Sequence, residues 1–262
     1  MTHVKVGNDM ELQLLRHATL LVSMSGRTLL IDPMLSPAGL MPPIVNSTNQ
    51  RPNPLVELTC SQDFLQNIDA VLLTHMHRDH FDDAAAELLP KDKPIFCQPE
   101  DESKLKELGF YRVIPIFKQN CWEGLNIIRT AGQHGTGEIG IAMSPVSGYI
   151  LEAKGEPMLY IAGDTIYCSE VESVLGTYHP QVTVVNAGAA QFLNGDPITM
   201  TKEDVGDLCR YESETKVVAV HMEAINHCLL SRKALSDYLK REGLQERVFI
   251  PLDGEKIVLS DD

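Results

Sequence analysis

Four side chains able to bind a metal fall within one six-residue run, His75-Met76-His77-Arg78-Asp79-His80. The run directly follows the apolar segment Ala70 to Thr74, which reads as a short strand. In an extended segment alternate side chains point the same way, so His75 and His77 can reach one ion together. Asp79 and His80 come after the chain bends toward the next helix, and they can face a second ion beside the first. Imidazole and carboxylate donors suit zinc, manganese or iron(II). The lack of cysteine donors argues against a purely structural zinc site. The nine histidines are otherwise spread along the chain, so three of them with an aspartate at this spacing is not a chance polar cluster.

The elements that must position this run can be read from the flanking pattern. Leu12 to Leu15, Leu20 to Met24 and Thr28 to Ile31 read as three short strands, with Ser25-Gly26 as a tight hairpin turn. Residues 33–58 are rich in proline and asparagine and read as a long irregular loop of the kind that is often functional. Asp82 to Leu89 and Glu100 to Leu108 read as helices, the second stopped by Gly109. Ile95 to Cys97, Val113 to Phe117 and Leu125 to Thr130 read as strands, and Gly132 to Gly140 as a glycine-rich loop holding His134. The second half repeats the rhythm. Ser147 to Glu152, Met158 to Ala162, Val182 to Asn186, Lys216 to Val220, Arg247 to Ile250 and Lys256 to Leu259 are strands. Glu170 to Leu175, Thr201 to about Tyr211 and Ser231 to Glu242 are helices. Two sheets packed together with helices outside account for this order, an α/β arrangement within one domain over residues 1–262.

Composition narrows the classes of function. Hydrophobic residues make up 44% and charged residues 22%, as expected for a soluble globular protein. The formal charge of −14 disfavours nucleic acid and anionic membranes as partners. No stretch approaches the roughly 20 apolar residues of a membrane span, and Met1 to Met10 lacks an apolar leader. Cys60, Cys97, Cys121, Cys168, Cys209 and Cys228 form no C-x-x-C pair, so free thiols, mostly in the core, in a reducing cytoplasm are expected. A homo-oligomer stays open.

Three later residues follow strands: His134 in Ala131-Gly132-Gln133-His134-Gly135, Asp164 in Ile161-Ala162-Gly163-Asp164-Thr165, and His221 ending Val217-Val218-Ala219-Val220-His221. Singly, each reads equally as a loop, turn or strand-capping residue. Together with the first run they resemble the metallo-β-lactamase superfamily, whose H-x-H-x-D-H signature is followed by ligands at three such points. The resemblance implies a four-layer αββα sandwich with the ligands at one edge of its sheets. It implies that His75, His77 and His134 hold one metal, that Asp79, His80 and His221 hold the second, and that Asp164 bridges them. Two divalent ions, zinc or manganese rather than iron, would then hold a bridging hydroxide, with Asp79 and Asp164 as catalytic residues.

Further residues narrow the branch. His17 in Leu15-Arg16-His17-Ala18-Thr19 and Asp32 in Leu29-Leu30-Ile31-Asp32-Pro33 resemble the early motifs of the L-ascorbate-6-phosphate lactonase-like branch. That likeness implies that Asp32 orients a ligand histidine and that His17 lines the substrate pocket. The carboxamide of Asn186 can reach a substrate oxygen, and Glu223 and His227 are candidates for contact with substrate or for outer positions. Arg16, Arg78 and Lys202 are candidates for holding an anion. The expected activity is cleavage of a small-molecule ester or lactone, with phosphodiester cleavage as the alternative. A di-iron redox protein is disfavoured because His77 stands where flavodiiron relatives carry glutamate, and a non-catalytic metal-binding protein because no ligand is missing.

Overall fold

A computed structural model describes residues 10–259. The expectation for the first residues of the chain lies outside that range. The first sheet runs in chain order through β1 (Met10–Arg16), β2 (Thr19–Met24), β3 (Arg27–Ile31), β4 (Ala70–Leu72), β5 (Ile95–Cys97) and β6 (Val113–Pro115). The second holds β7 (Gln119–Trp122), β8 (Leu125–Ala131), β9 (Ser147–Ala153), β10 (Leu159–Ile161), β11 (Val182–Asn186), β12 (Lys216–Val220) and β13 (Val248–Phe249). β14 (Lys256–Leu259) returns to pair with β1, so each sheet has seven strands. The helices are α1 (Asp83–Leu88), α2 (Glu102–Glu107), α3 (Gly137–Met143), α4 (Ser169–Tyr178), α5 (Lys202–Tyr211) and α6 (Arg232–Glu242).

Three apolar layers hold this order together. Inner faces of both sheets meet through Leu12, Leu14, Leu29, Leu72, Phe96, Ile127, Leu151, Ile161 and Val184. Outside the first sheet, Leu30, Val71 and Ile95 pack with Ala85 of α1 and Leu105 of α2. Outside the second, Ile150, Val185 and Val217 pack with Val171 of α4, Val205 of α5 and Leu235 of α6. Strands buried on both faces read as near-continuous apolar runs, which is why β4, β11 and β12 were so plain in sequence. The result is the expected four-layer αββα sandwich. No helix among the described residues is long and apolar enough to cross a membrane.

Local chemistry fixes the ends of the elements. Ser25 and Gly26 take φ of 56° and 68°, the left-handed pair that a two-residue hairpin turn requires. Asp82, Thr201 and Ser231 accept backbone N–H bonds at the starts of α1, α5 and α6, and Gly243 ends α6 at φ 70°. Two segments differ from expectation. Residues 137–143 form α3 rather than loop, because Gly140 lets the helix lie against the Gly135 backbone, where a Cβ would collide with the Gly135 carbonyl. β7 is an edge strand with an alternating exposed pattern and no apolar run. The cysteines are free as expected, but of the six only Cys97 and Cys209 are fully buried, and Cys121 is exposed.

Residues 33–58 are irregular yet tightly tied down. The fully buried Arg16 guanidinium donates to the carbonyls of Met34 at 2.7 Å, Ser36 at 2.9 Å and Val56 at 3.0 Å. It therefore serves the loop rather than an anion. Asn226 is the second anchor. Its carboxamide accepts from Ile44 N at 2.8 Å and from Asn53 Nδ2 at 2.7 Å, and donates to Ser47 Oγ at 2.6 Å and Ile44 O at 3.1 Å. Asn226→Ala leaves these buried partners unpaired and should cost about 3 kcal/mol. Denaturant unfolding should show a lowered midpoint, and amide exchange should quicken within residues 41–53. Unchanged values for both would contradict this account of the loop.

Candidate metal centre

The residues singled out in sequence lie just beyond the carboxyl ends of strands. His17 follows β1, Asp32 follows β3, and residues 75–80 follow β4. His134 follows β8, Asp164 follows β10, Asn186 ends β11 and His221 follows β12. Strand ends of this kind are where open α/β sheets place their ligand sites. Two backbone bonds bring the ends of the two sheets together: His221 N donates to His17 O at 2.8 Å, and Ser147 N donates to Thr74 O at 3.2 Å.

His17, Asp32 and His221 take φ of 60°, 42° and 69°. Such left-handed backbone costs about 1 kcal/mol or more per residue, and it aims side chains off the ends of their strands. Gly188 makes room beside them. A Cβ there would lie 3.1 Å from His221 Nδ1 and 3.0 Å from Cys228 Sγ.

Donor atoms gather in overlapping groups. His75, His77 and His134 offer nitrogens that lie within 4.8 Å of one another, as do the donors of His17, Asp79, His80 and His221, and those of His75, His80 and Asp164. The Asp164 carboxylate sits between them. Its Oδ2 is 3.3 Å from both His80 Nε2 and His134 Nε2 and 3.9 Å from His75 Nε2, and its Oδ1 is 3.4 Å from His221 Nε2.

The hydrogen bonds behind this cluster fix which nitrogen of three rings carries the proton. Asp32, 1% exposed, accepts from Thr74 N at 2.8 Å and Thr74 Oγ1 at 2.6 Å, and its Oδ2 takes the His80 Nδ1–H at 2.8 Å. Because the Thr74 hydroxyl donates to Asp32, it can only accept from His75 Nδ1, at 3.0 Å. His134 Nδ1 donates to Ile198 O at 2.7 Å. In the neutral form of all three rings Nε2 is left as a bare lone pair facing the cluster. His75 Nε2 is buried and has no hydrogen-bond partner at all. His80 Nε2 meets His221 Nε2 at 3.3 Å. Converging lone pairs and carboxylates repel unless a cation stands among them, so the donor set fits divalent metal.

Electrostatics agree. Burial, then neighbouring His80 and His77, holds the His75 imidazole well below its usual pKa, and burial likewise lowers His77, so both rings are neutral. Burial also acts against the charge on His80, yet Asp164, Asp32 and Asp79 outweigh it and raise His80 well above its usual value. Burial would raise Asp79 and Asp164, but the surrounding histidines hold both well below the carboxylate range. The cleft is thus set for positive charge beside ionised carboxylates.

The remaining candidates separate clearly. His17 is fully buried, stacks on His221 with ring centroids 3.6 Å apart, and places Nε2 3.2 Å from Asp79 Oδ2. It belongs to the donor cluster rather than to the pocket wall. Asn186 donates from Nδ2 to Asp164 Oδ1 at 2.6 Å, so its carboxamide orients that carboxylate and is not free for a substrate oxygen. Exposed Glu223 pairs with Arg232 at 2.8 Å, away from the cleft. His227 lines the cleft with His77, Asp79, His134 and Asp164. Lys202 lies at the start of α5 beside Glu203, whereas Arg78 lines the cleft but is exposed. Thr74, the Ile198 carbonyl and the apolar wall of Ile44, Met143 and Phe192 carried no motif. Only the placement of Thr74 directly before His75 hinted at its part.

Residues 27–222 match the family model described as the beta-lactamase superfamily domain. The UPF0173 protein YddR of Bacillus subtilis is 37% identical over 94% of this chain and 98% of its own length. A possible metal-dependent hydrolase from Veillonella parvula superposes with a TM-score of 0.93 at 36% identity, over 96% of this chain and 100% of that one. An isothiocyanate hydrolase from Delia radicum gut bacteria gives 0.92 at 34% identity, over the same shares.

Asp32→Ala removes the acceptor that fixes Thr74 and His80. Metal affinity should fall about 10- to 100-fold, measured by competition against a chromogenic chelator. An unchanged affinity would show that Asp32 does not orient the ligands.

Proposed function

The chain belongs to the metallo-β-lactamase superfamily and to its UPF0173 family of metal-dependent hydrolases, and from that premise we propose a dinuclear hydrolase that attacks the carbon of a small uncharged substrate, an ester or lactone. One observation carries the reading: two groups of donors share the Asp164 carboxylate, and their Nε2 lone pairs face one another across it. His75, His77 and His134 would hold one ion. Asp79, His80 and His221 would hold the other, with His17 beside them and Asp164 between. Two divalent ions held there, zinc or manganese, would supply a water of lowered pKa, toward about 7, and a Lewis acid for the substrate's heteroatom.

The chain's own residues do the rest. Asn186 and the histidines keep Asp164 ionised and fixed in place. Asp79, held at Oδ2 by His17, is the carboxylate that carries a proton from the attacking water to the departing group. Ile44, Met76, Met143, Phe192 and Ile198 give the adjoining cavity an apolar wall that excludes water and accepts an uncharged group. Arg78 is the one cationic residue among the lining, and its exposure disfavours a phosphodiester. The early His17-Ala18-Thr19 and Ile31-Asp32-Pro33 motifs keep lactones prominent among the substrates. Thr19 Oγ1 joins the two motifs, donating to Asp32 O at 2.8 Å and accepting from Met34 N at 2.9 Å.

A second substrate has specific support in the similarity to the isothiocyanate hydrolase. An isothiocyanate presents an uncharged, electrophilic carbon on an apolar arm, which suits the same wall. Water's oxygen bonds to that carbon, its two protons pass to nitrogen, and the C–N bond breaks to give an amine and carbonyl sulfide.

Purified protein should hydrolyse at least one of phenyl acetate, δ-valerolactone and benzyl isothiocyanate. A chelator should abolish the activity, and added zinc or manganese should restore it. Asp164→Ala should lower kcat by about 10³-fold or more. Full activity after exhaustive chelation would overturn the metal-dependent reading.

A further inference from the structure

The cavity beside the donor cluster, about 280 Å³ in volume, contains, besides the exposed Arg78, one polar side chain that metal binding leaves unused. His227 stands in its wall and is 6% exposed. Its Nδ1 is buried without a hydrogen-bond partner. Its Nε2 bonds to no described residue and, unlike Nδ1, is not among the buried unpartnered atoms, while the ring lines the cavity. A buried N–H without an acceptor costs more than a buried lone pair, so the ring proton sits on Nε2. Burial pulls the imidazole pKa down to about 4, which leaves a neutral ring with a single N–H near pH 7.

The position of the ring is built rather than incidental. Gln191 N donates to His227 O at 3.0 Å, and Ala190 and Cys228 form a strand-like bridge next to it. The Phe192 ring lies 5.9 Å from the imidazole. The segments that follow β11 and β12 are thus joined at the residue that carries the ring. Phenylalanine would fill the same space without leaving Nδ1 unpaired, so packing alone does not account for a histidine here.

We infer that His227 is a further catalytic residue, donating from Nε2 to the heteroatom on the carbon under attack while the substrate's apolar arm lies against Phe192, Met143 and Ile44. The inference rests on the hydrolase reading above and sharpens its substrate class. The substrate carries an acceptor oxygen, nitrogen or sulfur on the reacting carbon and an uncharged, apolar arm. A single neutral N–H gains most as negative charge gathers on that heteroatom, so its effect falls on kcat rather than on KM.

His227→Phe and His227→Gln test this, with phenyl acetate, δ-valerolactone and benzyl isothiocyanate as probes and metal content measured alongside. His227→Phe should lower kcat about 100-fold with KM little changed and metal content equal to that of the parent. His227→Gln keeps an N–H donor and should recover kcat to within about tenfold of the parent. If His227→Phe keeps the parent kcat, His227 is only wall. If both variants lose activity in step with metal, its role is structural, which also overturns the inference. A parent protein inert toward all three probes overturns the hydrolase reading and this inference with it.

Discussion

Three carboxylates, Asp32, Asp79 and Asp164, are buried among imidazoles at the meeting point of two sheets. Charges so placed are costly unless they are paired, and much of the local structure can be understood as the means of pairing them. Asp32 is satisfied by Thr74 and His80, Asp79 by His17, and Asp164 by Asn186. Three of the histidines have their Nδ1 protons committed to acceptors behind them, so their free nitrogens turn inward. The arrangement has negative charge and lone pairs to spare at its centre, which a divalent cation answers.

The apolar layers exist in good part to hold that centre still. Side chains between the sheets set the distance between the ends of β4, β10 and β12. The bond from His221 N to His17 O then locks the ends of β1 and β12 together, one strand from each sheet. The 33–58 loop, anchored by Arg16 and Asn226, supplies Ile44 to the cavity wall. Sheet ends thus present the charge, and long connections shape the space beside it. Such a division lets one fold serve many substrates, because walls change more freely than ligands do.

How much of this could be read in sequence follows from range. β11, β12 and β14 emerged at their observed bounds because each is a compact apolar or alternating run with clear ends. His75 to His80 declared itself because its donors are neighbours in sequence. His134, Asp164 and His221 needed a family pattern, since nothing local separates a ligand from a turn residue. The partners behind the ligands were mostly hidden. A carbonyl such as that of Ile198 has no sequence signal, and it meets His134 from 64 positions away. Asn186 looked free for substrate because its proximity to Asp164 arises only when β10 and β11 pair in parallel. α3 escaped notice because its glycines read as loop while serving close packing.

The central claim is that the cleft holds two ions rather than one. Metal-to-protein stoichiometry of the purified chain, by elemental analysis against amino-acid analysis, tests it directly. The account predicts about two divalent ions per chain, zinc or manganese. One ion per chain at saturating metal, or none, would contradict it.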